Sequence, residues 1–161
     1  MRSGFAAVLI FFQLLSPHLL LPPFAGTAQK AGDPILSNGA AVEAVLRTQQ
    51  DAWNRHDLEA FMAGYWNSPE LTFFSGANVR NGWQATLDRY RATYASPGHE
   101  MGTLEFSALR IEMLGSDAAF VRGSWHLTMS DGKTPHGLFT LVFRKFPEGW
   151  KIVHDHTSAA E

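Results

Sequence analysis

The 161-residue chain contains no cysteine. That excludes a disulfide framework, a thiolate nucleophile, a thiolate metal site and a lipidated cysteine at a signal cleavage point. It leaves the compartment open, because exported domains with a good core can dispense with disulfides. Basic runs and basic–aromatic patches are also lacking, and the formal net charge is -2, so no nucleic acid partner is expected. There is no internal repeat, no low-complexity tract and no helical His-Glu-x-x-His pattern. No motif calls for a cofactor.

What is present is an ordinary globular composition, 45% hydrophobic and 17% charged, in a length that suits one domain. The N-terminus has its own pattern. Arg2 precedes an apolar run from Phe5 to Leu15, broken only by Gln13, and small residues gather at Ala25, Gly26, Thr27 and Ala28. This order predicts a signal peptide over 1–28, cleaved after Ala28, and so a periplasmic or secreted domain. An uncleaved anchor is the rival, but Ser16-Pro17 and Pro22-Pro23 interrupt the run short of the ~20 residues that spanning needs. After cleavage no membrane association is expected. Gln29 to Gly39 reads as a linker, and 40–158 as the domain.

Within the domain, Val42, Val45, Leu46, Gln49 and Trp53 share one helical face from about Ala40. Asp57 can cap a second short helix carrying Leu58, Phe61, Met62 and Tyr65. Two short strands, Leu71 to Phe74 and Ala77 to Arg80, precede a third helix with Trp83, Leu87, Tyr90 and Tyr94 on one face. Four long strands follow. In the first, Leu104 and Phe106 hold one phase and Leu109, Ile111 and Met113 the other, which predicts a β-bulge near Ser107-Ala108 and a bent, concave sheet. The order argues an α+β fold with helices on one face of a curved antiparallel sheet. The strand from His136 is apolar on both sides, with Leu138 and Val142 opposing Phe139, Leu141 and Phe143. That pattern predicts a homodimer packed sheet to sheet.

Three segments carry a resemblance: Ala52-Trp53-Asn54 with His56-Asp57-Leu58, Gly82 with Arg89-Tyr90, and Gly149 to Ser158 (GWKIVHDHTS). With this element order, the chain resembles the nuclear transport factor 2-like (NTF2-like) superfamily, in its SnoaL-like, DUF4440-type, ketosteroid isomerase-related group. The last segment is also similar to the end of the calmodulin-dependent kinase association domain. The resemblance implies a cone with a pocket between three helices and the concave sheet face. It does not select a function, since the superfamily spans isomerases, cyclases, dehydratases, binding modules and oligomerisation domains.

The candidate chemistry centres on His154 and His156. In a regular strand both share a face with Trp150 and Ile152, so both point into the cone and Asp155 points away. An imidazole there suits acid–base work on an enolisable substrate; the bland alternative is a hydrogen-bonded structural pair. Two such histidines, with Cα atoms ~6.5–7 Å apart, could also share a zinc if His126 or His136 supplied a third ligand. Arg122 and His126 share a strand face that is either solvated or a polar pocket wall; if inward, Arg122 suits a carboxylate. Tyr65, Tyr90 and Tyr94 are inward-facing phenols, either core or pocket, and Tyr90 is the candidate oxyanion donor. Gln49 is a core amide or a pocket group, and Trp53 and Phe73 are expected to line the pocket. No set matching the isomerase catalytic groups is evident, so none is carried over. Three readings stay open: a homodimeric small-molecule binding module, a cofactor-free isomerase, cyclase or lyase using His154 or His156, and an oligomerisation domain.

Overall fold

The computed structural model describes residues 34–160. The expected signal peptide and its cleavage point lie outside the described residues, as does the first part of the expected linker. The elements run α1 (Pro34–Asn54), α2 (Leu58–Met62), β1 (Thr72–Ser75), β2 (Asn78–Asn81), α3 (Trp83–Tyr94), β3 (Thr103–Met113), β4 (Ala118–Thr128), β5 (His136–Phe146) and β6 (Gly149–Ala159).

The long helix starts at Pro34, ahead of the expected start near Ala40. Proline is well suited to a first helical turn, where its missing N–H would lack a partner anyway. Asn38 then secures that turn, donating to Ser116 O (3.2 Å) and accepting from Lys145 Nζ (3.1 Å). The expected cap of α2 is present, with Asp57 Oδ1 accepting from Ala60 N at 2.9 Å.

One six-stranded sheet has the order β2-β1-β6-β5-β4-β3, all antiparallel except the β1–β6 pair. The last strand in sequence is therefore central. At the β3 edge, side chains of α1 take up exposed backbone groups: Asn54 accepts from Leu104 N (2.7 Å) and donates to Leu104 O (3.0 Å), and Gln50 accepts from Phe106 N (2.7 Å). This both docks the helix and closes an edge that would otherwise be open to another strand.

The bulge expected in β3 is there. The register steps from Ser107 opposite Ser124 to Arg110 opposite Arg122, and Ala108 adopts φ 51°. Opposite it, Gly123 leaves room for the inward rings: a Cβ there would lie 2.5 Å from Phe139 Cζ. A second bulge, not expected, lies in β6. His154 pairs with Val142 but Ile152 with Phe143, so Val153 is an extra residue. It lies where β6 changes neighbour. Ile152 bonds the segment before β1, through Gly64 O (3.0 Å) and Trp66 N (2.9 Å), whereas His154 onward pairs with β1.

The core lies between the helices and the concave face. Leu46, Trp53, Phe61, Leu87, Phe143 and Ile152 are buried there. Of the two apolar sides of β5, Phe139, Leu141 and Phe143 face in, while Leu138 on the convex face is 64% exposed. Among the described residues, no helix is long and apolar enough to cross a membrane.

Candidate functional site

The helices and the concave face enclose a cavity of about 270 Å³. Its wall is mainly aromatic. Trp53 from α1 makes edge contacts with Phe61, Tyr90 and Tyr94, at ring separations of 5.2, 5.9 and 4.8 Å. Phe73 from β1 meets Tyr90 at 5.7 Å. The sheet adds Phe106, Trp125, Phe139 and Ile152.

Polar groups break this wall at few places, and the central one is Asp155. Its residue is 5% exposed. Oδ2 accepts a hydrogen bond from the Tyr65 hydroxyl at 2.7 Å, while Oδ1 is buried with no partner among the described residues. Burial disfavours the ionised form and pushes the carboxyl up to about 7, against the smaller opposing effect of the Tyr65 hydrogen bond. Burial, followed by the Asp155 charge, raises both the Tyr65 and Tyr90 phenols well above the ordinary tyrosine range. Burial also raises Tyr94, with Arg89 acting in the opposite direction. Both Tyr65 and Tyr90 therefore stay protonated at neutral pH and can donate, though the Tyr65 proton is already committed to Asp155.

Gln49 proves to be both core amide and pocket group. Its Nε2 donates to Phe61 O at 3.0 Å, and it also lines the cavity. Its amide rests on Gly64, where a Cβ would lie 2.6 Å from Gln49 Cδ, so any side chain there would displace the amide.

Six of the expected pocket residues thus meet in one cavity: Gln49, Trp53, Tyr65, Phe73, Tyr90 and Tyr94. The other four do not line it. The extra residue at Val153 reverses the strand phase, so that Trp150, Ile152, Asp155 and Thr157 face in. His154 and His156 lie on the opposite face, and the expected inward pair and outward Asp155 are both corrected. His154 Nδ1 pairs with Thr72 Oγ1 at 2.6 Å and its ring stands edge-on to Phe74 at 5.0 Å. Burial, then the neighbouring His156, lowers its pKa below the ordinary histidine value. His156 is exposed. Arg122 also lies on the convex face, 3.6 Å from Glu112, and His126 stands beside His136 with ring centres 6.3 Å apart. Among the described residues no three His, Asp or Glu side chains gather to hold a metal, so the three-histidine zinc arrangement does not form.

Four further polar lining residues had no role assigned from the sequence: Ser75 at the end of β1, Arg89 in the middle of α3, and Thr157 and Ser158 beyond Asp155 on β6. The only sequence signal for Arg89 was its place in the resemblance.

The family model for the SnoaL-like domain matches residues 42–161. No match is found among curated proteins. Many solved structures share the fold. An NTF2-like protein of unknown function from Shewanella oneidensis is 39% identical, with a TM-score of 0.69, covering 74% of this chain and 97% of its own. A putative calcium/calmodulin-dependent protein kinase type II association domain from Thiobacillus denitrificans is 23% identical, with a TM-score of 0.63, covering 74% of this chain and 94% of its own. A ketosteroid isomerase-like protein from Erwinia carotovora atroseptica is 20% identical, with a TM-score of 0.60, covering 77% of this chain and 97% of its own. With the cone, its curved sheet and the matched span in agreement, the chain belongs to the SnoaL-like family of NTF2-like domains.

Proposed function

We propose that the cone binds a small, largely apolar organic molecule with an enolisable carbonyl, and that Asp155 moves a proton on it. The observation that carries this reading is Asp155 itself: a buried residue of the cavity wall whose carboxyl is raised to about 7 and whose Oδ1 has no partner among the described residues. A base is most effective when its pKa lies near the working pH. The ionised carboxylate removes a proton from the carbon beside the carbonyl. The C–H electron pair moves to the carbonyl oxygen, giving an enolate, which the Tyr90 hydroxyl stabilises by donation. Return of the proton from Asp155 to the same carbon regenerates the ketone with its hydrogen exchanged. Where a C=C adjoins that carbon, the enolate is a dienolate, and return of the proton to the far end of the C=C shifts the double bond and gives an isomer.

The test is deuterium uptake at the carbon beside the carbonyl, followed by NMR in D2O, with aryl ketones small enough for the cavity. Uptake that disappears in Asp155→Asn while the ketone still binds supports the reading. Binding without uptake in the wild type leaves a non-catalytic binding module. That second reading is favoured by one contact, the Tyr65 hydroxyl bond that already occupies one Asp155 oxygen.

We also infer a homodimer through the convex face, supported by exposed Leu138 and by Phe120 paired with Val142 beside it. Native mass spectrometry should give twice the chain mass, and Leu138→Asp should shift it to the monomer. Export rests on the charged, apolar and small-residue order of 1–28. N-terminal sequencing of the mature protein checks it, with Gln29 expected first.

A further inference from the structure

Among the described residues, Arg89 is the one cationic side chain in the cavity wall. Its guanidinium donates to two neutral hydroxyls, Ser75 Oγ at 3.3 Å and Thr93 Oγ1 at 3.2 Å. Arg47, Arg91 and Arg122 each have a carboxylate within 4 Å, but Arg89 has none among the described residues. Its charge acts on Tyr90 and Tyr94, which share the cavity. A partly buried guanidinium without a counter-charge in an aromatic cavity is costly to desolvate, and a carboxylate meets it with two parallel, charge-assisted hydrogen bonds.

The strand register fixes where this cation sits relative to Asp155. Phe73 pairs with Asp155 and Ser75 with Thr157. Asp155 and Thr157 both face the cavity, two residues apart, which is about 6.5–7 Å along a strand. The carboxyl with the Tyr65 phenol therefore lies about one inward strand position from the guanidinium with Ser75 and from Thr157, whose hydroxyl makes a long bond to Leu138 O (3.4 Å).

We propose that Arg89, with Ser75 and Thr157, anchors a carboxylate on the ligand, so that the cone takes an apolar organic acid rather than a neutral ketone. Its carboxylate lies at Arg89 and its reactive carbon about one inward strand position away, at Asp155. The anchor itself is a binding claim. Only the placement of the reactive carbon rests on the acid–base reading above.

The probes are 4-oxo-4-phenylbutanoate, 5-oxo-5-phenylpentanoate and 6-oxo-6-phenylhexanoate, each compared with its methyl ester by calorimetry on the wild-type domain. At least one acid should bind about tenfold or more tighter than its ester, as expected for hydrogen bonds to a charged partner. That preference should fall towards unity in Arg89→Gln, survive in part in Arg89→Lys and weaken with added salt. Equal binding of acids and esters overturns the proposal, as does a preference that persists in Arg89→Gln. So does the failure of every acid to approach saturation by about 1 mM, a very weak affinity for ligands of this size. The acid–ester comparison needs no variant, so misfolding of Arg89→Gln cannot decide the outcome. Deuterium uptake in the same samples separates the two claims. Tight acid binding without uptake removes the chemistry of Asp155 and keeps the anchor, whereas equal uptake by acid and ester does the reverse.

Discussion

β3 lies at the edge of the sheet and β6 at its centre, and each contains one extra residue. In β3 both phases are apolar, so the bulge at Ala108 exchanges one set of core residues for another and serves to bend the sheet. In β6 the change of phase has a chemical result. It brings a carboxyl into the cavity and turns two imidazoles out of it. A bulge in an edge strand shapes the container; in a central strand with polar residues beyond it, the same device selects which functional group the container holds.

The largest expected effect falls on that selection. If Asp155 is the base, Asp155→Asn should lower the rate of deuterium uptake about 10²–10⁴-fold, the usual range for a general acid–base group. His154→Gln and His156→Gln should each leave it within about twofold, since both side chains lie on the other face. A large loss from either histidine would break the comparison between the two bulges.

Next comes stability against pH. The Asp155 carboxyl is raised from 3.8 to about 7, so the folded state holds its proton more tightly than the unfolded state. Ionising it therefore opposes folding: stability falls as pH rises from about 4 to about 7 and is level above that. The gap, at about 1.4 kcal/mol per pH unit, is of the order of 4 kcal/mol at most. Asp155→Asn should stabilise the protein at pH 8 by up to this amount and have little effect near pH 4, as measured by urea unfolding. A gain independent of pH would mean that the carboxyl is not titrating in this range. His154 acts in the opposite sense. Its pKa is lowered, so its contribution is complete above about 6.5 and is lost as pH falls below that value.

The edge provides the third test. Removing the two Asn54 bonds to Leu104 by Asn54→Ala should cost about 2 kcal/mol in denaturant unfolding, at about 1 kcal/mol per bond. It should also increase aggregation through the uncovered β3 edge. The smallest effects differ in sign. Ala108 has positive φ, so Ala108→Gly should be neutral or stabilising by up to about 1 kcal/mol. Val153 is not in that region, so Val153→Gly should destabilise by about 1 kcal/mol. Thermal melts of the two variants check the pair.

The same contrast explains what could be read from the chain. The β3 bulge was legible because Leu104 and Phe106 fall out of phase with Leu109, Ile111 and Met113, so hydrophobicity marks both sides of the slip. In β6 the apolar residues end at the adjacent pair Ile152-Val153, and beyond them polar residues alternate with polar residues. Nothing in His154-Asp155-His156-Thr157 distinguishes one phase from the other. The switch depends on a tertiary fact, that β6 pairs first with the segment around Tyr65 and then with β1. The helical half of the pocket was legible for the opposite reason. Gln49, Trp53, Tyr90 and Tyr94 lie in stripes whose inward direction is set by apolar neighbours at helical spacing. Tyr65, expected on the face of the second helix, instead lies past the end of α2 in a bridge to Ile152. Arg89 adjoins Tyr90 in the chain, and only the position of Ser75 on the neighbouring strand brings it to the cavity wall.

The central place of β6 also bears on how the molecule is made. β6 leaves the ribosome after every other strand, yet it is the strand that joins β1–β2 to β3–β4–β5. Until it arrives, the chain holds two separate sheet fragments, each with an unpaired edge. These are the long-range pairings that slow folding and expose a nascent chain to association. Closure of the sheet and completion of the Tyr65–Asp155 hydrogen bond therefore both wait on the docking of β6.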